Sequence, residues 1–518
     1  MPLKAICRAL LKGSLDTRWA ALILVLVAWI IYQPALNRVF AADQLWYFAE
    51  LDGRTSLLDG LRHYDYAATR RFWKGDDVTF RPLLFTWLAI GNRLFSYHHV
   101  WWNVANLALH TLVALFLFRL LLAVRPSPFA LPAAVLFLAL KPPLELVVWN
   151  HLGGYLLACI ALLLGLRAFV RLTRDPASPH LGRTVAAFAA AFAVAGLLYE
   201  PMVLVSLAAA AIVLWIDWRN GEPTTAGKAL GLLCPTLFFS ALYVRHAFQV
   251  ERLGYVHQEG AGGAFTFDAA ILAIPHSVGM VAQWTLELAV PSALHLASAA
   301  FGRFGKTFSF SWTDPLHLFN AGLALLAIGL FARSVSRRQG ADTHPILLLG
   351  LVGMVVYLFV LAFGRSRYEV FDITYYAYIF SLLLAVLMYS LVDFARLHRW
   401  TGAVAYIVIV GFAAMHAVES HATAWEVGRV NRYPSLYLSR VIRFVDAHKG
   451  EPDFTFMIRP HPESVDPDVY LVEGYPDDPT ATSRHRRLTE ILFAPYYNST
   501  TPKYVLDSSA EALAPDKP

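Results

Sequence analysis

The sequence predicts an all-α polytopic membrane protein of about eleven transmembrane helices, followed by a small C-terminal α/β domain outside the membrane. Three observations predict it. The chain of 518 residues is 57% hydrophobic and only 15% charged, with a mean hydropathy of +0.49. Apolar runs of about 20 residues, enough to cross a bilayer, recur along most of its length. The basic residues sit in short clusters between those runs, as the positive-inside rule predicts, so the net charge of +6 gives no argument for nucleic acid as a partner. This composition excludes an ordinary soluble domain.

Spans are expected near 19–36, 98–122, 129–147, 150–171, 184–199, 201–217, 228–246, 316–334, 345–363, 374–393 and 401–418. The first follows Lys4, Arg8, Lys12 and Arg18 and lacks a small-residue cleavage site, which fits an uncleaved signal anchor. The segment 269–300 is apolar but interrupted by Pro275, His276, Glu287, Pro291 and His295, and reads as re-entrant, interfacial or a twelfth span. If it does not cross, the basic connections at Arg167–Arg183, Arg219–Lys228, Arg333–Arg338 and Arg396–Arg399 all lie on the side of the basic N-terminus. That reading is preferred. It puts the N-terminus in the cytoplasm and the loops 37–97 and 247–315 outside, together with the tail 419–518. The division is thus a membrane domain, 1–418, and a small outer domain, 419–518, with a strand-like run at 454–458 and a helix-like run at 487–493. The three cysteines, Cys7, Cys159 and Cys234, lie near the N-terminus or within apolar runs and suggest no disulfide framework.

Several polar residues break this apolar background. Asp43 stands just beyond the first span, beside Trp46, Tyr47 and Phe48. A carboxylate there suits a general base, or equally a solvated loop acid or helix cap. Arg81 opens an apolar stretch at Arg81-Pro82-Leu83; a guanidinium at a membrane surface suits a lipid-borne phosphate or bulk headgroups. His99, Asn103, Asn106 and His110 follow at i, i+4, i+7 and i+11 and share one helix face. A polar stripe on a membrane helix is costly unless it meets substrate or a neighbouring helix. Lys141 and Glu145, one helical turn apart, can pair with each other or serve one site. Glu200 lies in a tight break, Tyr199-Glu200-Pro201, as a site acid or a capping one. Arg365 and Arg367, in Gly364-Arg365-Ser366-Arg367-Tyr368, run against the positive-inside trend and call for an anionic substrate group, with Tyr368 beside it. Asp76 and Asp77 are weak metal candidates, more simply a solvated acidic pair. The histidines lack ligand spacing, and no HExxH, CxxC, GxSxG or phosphate-binding glycine motif occurs.

Taken together, Asp43, the run Arg81 to His110 and the Arg365-to-Tyr368 segment resemble the GT-C superfamily of polytopic glycosyltransferases, most closely its protein O-mannosyltransferase-like branch. The likeness covers roughly residues 20–420. It implies inverting sugar transfer from a polyprenyl-phosphate donor, such as an undecaprenyl phosphate sugar, to an acceptor hydroxyl on a glycan, lipid or protein. On that likeness Asp43 is the catalytic base. Arg81, Arg365, Arg367 and Lys141 bind the donor phosphate, while His99, Asn103, Asn106, His110, Glu145, Glu200 and Tyr368 line the substrate site. No cofactor is required, and a divalent ion (magnesium or manganese) is compatible. The family often pairs acids in the first loop, whereas Ala42 and Gln44 flank Asp43 here. The resemblance, with a composition rich in Ala, Leu and Arg, points to a bacterial inner membrane with a periplasmic site. An outer-face polysaccharide ligase or polymerase and a lipid-linked sugar flippase are the alternative readings.

Overall fold

The computed structural model describes residues 17–40, 81–140, 142–149, 152–252 apart from 177 and 223, most of 345–357, 376–394, 399–459, and parts of 469–507. Asp43, Asp76, Asp77, Lys141, Arg365, Arg367 and Tyr368 lie outside the described residues, as do 269–300 and the expected span at 316–334.

The described chain is a helical bundle. Its helices are α1 (Thr17–Tyr32), α2 (Pro82–Phe95), α3 (His99–Val124), α4 (Ala130–Ala139), α5 (Pro143–Val148), α6 (Gly153–Arg174), α7 (Leu181–Leu198), α8 (Met202–Asn220), α9 (Ala226–Arg252), α10 (Tyr376–Phe394) and α11 (Arg399–His448). Among the described residues, seven helical segments are long and apolar enough to span a membrane. Each has two faces of different character. In α1, Ala20, Leu24, Ala28 and Ile31 form a buried seam at helical spacing, while Leu22, Val25, Leu26, Trp29 and Ile30 are exposed. In water that exposed face would be a liability; in a bilayer it is the lipid face.

Proline sets several boundaries. Pro82 and Pro143 occupy first-turn positions of α2 and α5, where the missing N–H costs nothing. Gly221 closes α8 in the left-handed conformation at φ 69°. Two expectations are corrected here. The run 129–147 is not one continuous helix: it breaks between α4 and α5 around Pro142-Pro143. The run 401–418 continues without interruption to His448, so the chain leaves the bundle as a helix and its first strand begins only at Phe456. The helix α2 was also not foreseen inside the outer loop.

In the tail, β1 (Phe456–Arg459) pairs in parallel with β4 (Tyr504–Asp507), and β2 (Val469–Leu471) pairs antiparallel with β3 (His485–Arg487). The strand expected at 454–458 is present in part; the start of the helix-like run, Arg487, ends β3. Two apolar cores follow. One fills the bundle. The other joins Val39, Phe40, Leu84, Leu88 and Trp102 to Leu438, Val445, Phe454 and Phe456, which seats the tail on the ends of α2, α3 and α11.

Candidate functional site

The polar stripe of α3 meets the places where other helices stop. Asn103 donates from Nδ2 to the carbonyls of Leu36 and Arg38, both at 2.9 Å, where the short 3-10 turn after α1 ends. One turn on, Asn106 donates to the carbonyls of Leu146, 3.0 Å, and Trp149, 3.2 Å, at the end of α5. One turn further, His110 Nε2 lies 3.3 Å from the Leu138 carbonyl near the end of α4, and its Nδ1 lies 2.8 Å from the Tyr378 hydroxyl. Tyr32 donates to the same Leu138 carbonyl at 2.7 Å. His99 Nε2 meets Ser435 Oγ of α11 at 2.9 Å. The last carbonyls of a helix have no intrahelical partner, and inside a membrane water cannot supply one. The stripe supplies donors at those breaks. All four side chains are buried, and each bonds a neighbouring element of the bundle. A neutral His110 with its proton on Nε2 satisfies both partners at once, since Nδ1 can accept from Tyr378.

A second cluster forms where α2, α6 and the α7–α8 break meet. Successive residues at the start of α6 face residues one turn apart on α2: Gly153 against Trp87, Gly154 against Leu84 and Tyr155 against Arg81. A larger residue would force a neighbour to shift. A Cβ on Gly153 would stand 2.4 Å from Trp87 Nε1 and 2.6 Å from Asn106 Oδ1, and one on Gly154 would stand 2.2 Å from Leu84 Cδ1. This glycine pair lets α2 approach, and so brings the Tyr155 hydroxyl to 2.6 Å from Arg81 Nη1. From the other side Glu200 Oε2 accepts from Arg81 Nε at 2.6 Å. The guanidinium carbon lies 5.5 Å from the Tyr155 ring centre and 5.1 Å from that of Tyr199. Those two rings are 4.5 Å apart, and Tyr199 Oη reaches Tyr357 Oη at 3.5 Å.

The cation is therefore fixed by a carboxylate, a phenol and two aromatic faces, which suits the planar, weakly hydrated guanidinium better than an ammonium. Arg81 and Glu200 keep 15% and 22% of their side-chain surface exposed, so the pair sits at a rim and not in a closed core. The sequence singled out both residues but not their partnership, across 119 positions. Tyr155 was missed. Its only signal is its place after Gly153-Gly154, a pair that permits close helix contact. Glu145 lies half-buried in the first turn of α5. Among the described residues, no group of three or more His, Cys, Asp or Glu side chains is arranged to hold a metal ion.

No protein-family model matches the chain, and no curated protein does. Among solved structures, it is similar to an Archaeoglobus fulgidus oligosaccharyltransferase crystallised with zinc and sulfate, at 14% identity and TM-score 0.38, over 85% of this chain and 60% of that one. A second structure from that organism, the oligosaccharyltransferase AglB with an inhibitory peptide and a dolichol phosphate, gives 14% identity and TM-score 0.38, over 86% of this chain and 62% of that one. ArnT from Cupriavidus metallidurans, bound to undecaprenyl phosphate, gives 14% identity and TM-score 0.42, over 88% of this chain and 84% of that one. The chain thus spans about three fifths of the length of the archaeal enzymes. By its own structure the chain is a polytopic α-helical membrane protein, with an arginine–glutamate pair set between tyrosines at one end of its bundle.

Proposed function

We propose that the chain transfers a sugar from a polyprenyl-phosphate donor to an acceptor hydroxyl, with inversion, at the end of the bundle that carries Arg81. The observation that supports this most is the clamp on Arg81. Glu200 and Tyr155 fix the guanidinium before any substrate arrives, so it need not reorganise when charge develops on a departing phosphate. In this reading Asp43, beyond the end of α1, takes the acceptor proton. The acceptor oxygen bonds the anomeric carbon, and the carbon–oxygen bond to phosphate breaks. The bonding electrons leave with the lipid phosphate, whose charge Arg81 meets together with Arg365, Arg367 and Lys141. Glu200 positions Arg81; Glu145 and Tyr368 line the sugar or acceptor. The acceptor is a glycan, lipid or protein, the membrane is the bacterial inner one, and the site faces the periplasm. Magnesium or manganese is compatible with this chemistry and not required by it.

The test uses purified wild type, Asp43→Asn, Arg81→Lys and Glu200→Gln in lipid nanodiscs with a panel of polyprenyl phosphate sugars, following release of free polyprenyl phosphate with and without a chelator. Asp43→Asn is expected to lose about 10²–10⁴-fold, the usual worth of a general base. Arg81→Lys keeps the charge but loses the fork and ring contacts, and is expected to lose about 10²–10³-fold. Glu200→Gln is expected to fall between wild type and Arg81→Lys. Wild-type rates in folded Asp43→Asn would overturn the assignment.

A further inference from the structure

The other end of the same helices carries three arginines that the proposed reaction does not use. Helices α3 and α6 run side by side in the same direction. Asn106, near the start of α3, abuts Gly153 at the start of α6. Arg174, at the end of α6, donates both terminal nitrogens to the carbonyls of Ala123 and Val124 at the end of α3. That pin fixes the levels of their neighbours. At 1.5 Å rise per residue, Arg119 lies about 6 Å before Ala123, while Arg171 and Arg167 lie about 5 and 10 Å before Arg174. The three cations thus share one band, within about two turns of the helix ends, and Arg119 and Arg171 act on Arg167 as like charges. Tyr155, which touches Arg81, is about 18 Å further along α6 from Arg167.

Among the described residues none of the three forms an ion pair, and neither does Asp175, the exposed acid at the end of α6. Arg167 Nε is fully buried and meets no acceptor. Clustered like charges and an unsatisfied buried N–H on apolar helices are costly without a counter-anion. The dipole of α6 favours Arg171 in its last turn but does not reach Arg167, and Arg119 lies outside the last turn of α3, whose terminal carbonyls Arg174 already holds. Exposed apolar residues continue the same strips, Leu164 one turn before Arg167 and Leu112 two turns before Arg119. They offer a track for an acyl chain beneath a headgroup.

We propose that Arg119, Arg167 and Arg171 form a binding site for the phosphate of an anionic phospholipid, in the leaflet opposite Arg81, with its acyl chain along Leu112 and Leu164. Guanidinium groups suit phosphate oxygens because the planar fork donates two parallel hydrogen bonds, and Arg167 Nε gains the acceptor it lacks.

The full-length protein is purified in mild detergent after exposure to phosphatidylglycerol, and retained lipid is read by native mass spectrometry; affinity is titrated in nanodiscs of graded phosphatidylglycerol in phosphatidylcholine. Wild type is expected to keep bound phosphatidylglycerol through detergent exchange. Each guanidinium removed should weaken retention about fivefold, so R119Q/R167Q/R171Q together should lose about 100-fold. Arg183→Gln, an exposed arginine outside the cluster, should leave retention unchanged. Arg167→Lys keeps the charge but removes Nε–H; it should weaken retention several-fold and keeps the test decisive if the triple variant does not fold. Equal retention by wild type and either variant overturns the site. Stabilisation of wild type by inorganic phosphate, equal to that by phosphatidylglycerol, would overturn the lipid assignment in favour of a free anion.

Discussion

Asn103 spends both protons of its amide on carbonyls that no helix can use. One turn later Asn106 bonds the Leu146 carbonyl and shares the Trp149 carbonyl with the Leu152 N–H, and His110 with Tyr32 completes the series at the end of α4. The i, i+4, i+7, i+11 spacing made the stripe visible in the sequence. Its partners were not visible, because Leu36, Arg38, Leu146, Trp149 and Leu138 contribute backbone oxygens that any residue carries. Replacing Asn103 with Leu keeps volume and removes the donor, leaving two carbonyls unpaired inside the bundle. Loss of about 1–3 kcal/mol of stability is expected, read as a lower thermal-unfolding midpoint in detergent. An unchanged midpoint would overturn the stabilising role of these two bonds.

At the scale of elements, α11 is the least expected piece. Its 50 residues reach about 75 Å, more than twice a bilayer's hydrocarbon core. A hydropathy reading stops near 418 because polar residues then rise, yet the helix continues to His448 through Gly428 and Pro434. Two elements hold it: Asn37, in the turn after α1, donates to the Gly428 carbonyl at 3.1 Å, and Ser420 donates to the Ala139 carbonyl at the end of α4 at 2.7 Å. Gly428 has to be glycine, since a Cβ there would lie 2.0 Å from the Pro34 carbonyl oxygen. Gly428→Ala is expected to pry α11 from the turn after α1, costing about 1–3 kcal/mol through overpacking. Gly411→Ala on the same helix meets open space and should not destabilise it. A matched pair of thermal-unfolding curves checks both.

Across the whole molecule, one polar latch ties the turn after α2 to the far end of α11. The Tyr97 hydroxyl, in the turn after α2, donates to Asp446 near the end of α11. Lys449 Nζ lies 2.7 Å from the same carboxylate oxygen, and His98 Nε2 lies 3.7 Å from the other. Partial burial alone would raise the Asp446 carboxyl, but the hydrogen bonds from Lys449 and Tyr97 and the charges of Lys449 and His98 outweigh it and hold it below the ordinary range. Burial, with the Asp446 carboxylate, pushes the Tyr97 phenol up. The signs follow. Asp446 contributes stability above its unfolded value, near 4, and loses it as pH falls through the folded one. Tyr97 contributes below about 10 and loses it as pH rises further. Protection of the Ser96–Trp102 amides from hydrogen exchange, taken against the intrinsic rate at each pH, is therefore expected to fall in acid. Asp446→Asn should show the lower protection already at neutral pH, with little further acid dependence. A variant as acid-sensitive as wild type would assign the effect to another group.

The sequence by itself determined that the chain crosses a membrane repeatedly, where most helices lie, and that polar residues gather at Arg81 and along α3. Those follow from local periodicity and from the cost of polar groups in hydrocarbon, which act residue by residue. Only the tertiary structure decided what those polar residues meet. Helix ends 28 to 108 positions away bring carbonyls to His110 and Tyr32, and packing through Gly153-Gly154 sets Arg81 between Tyr155 and Glu200. The reason is that a side chain's spacing along a helix fixes its face, whereas its partner depends on which helix end stops opposite that face.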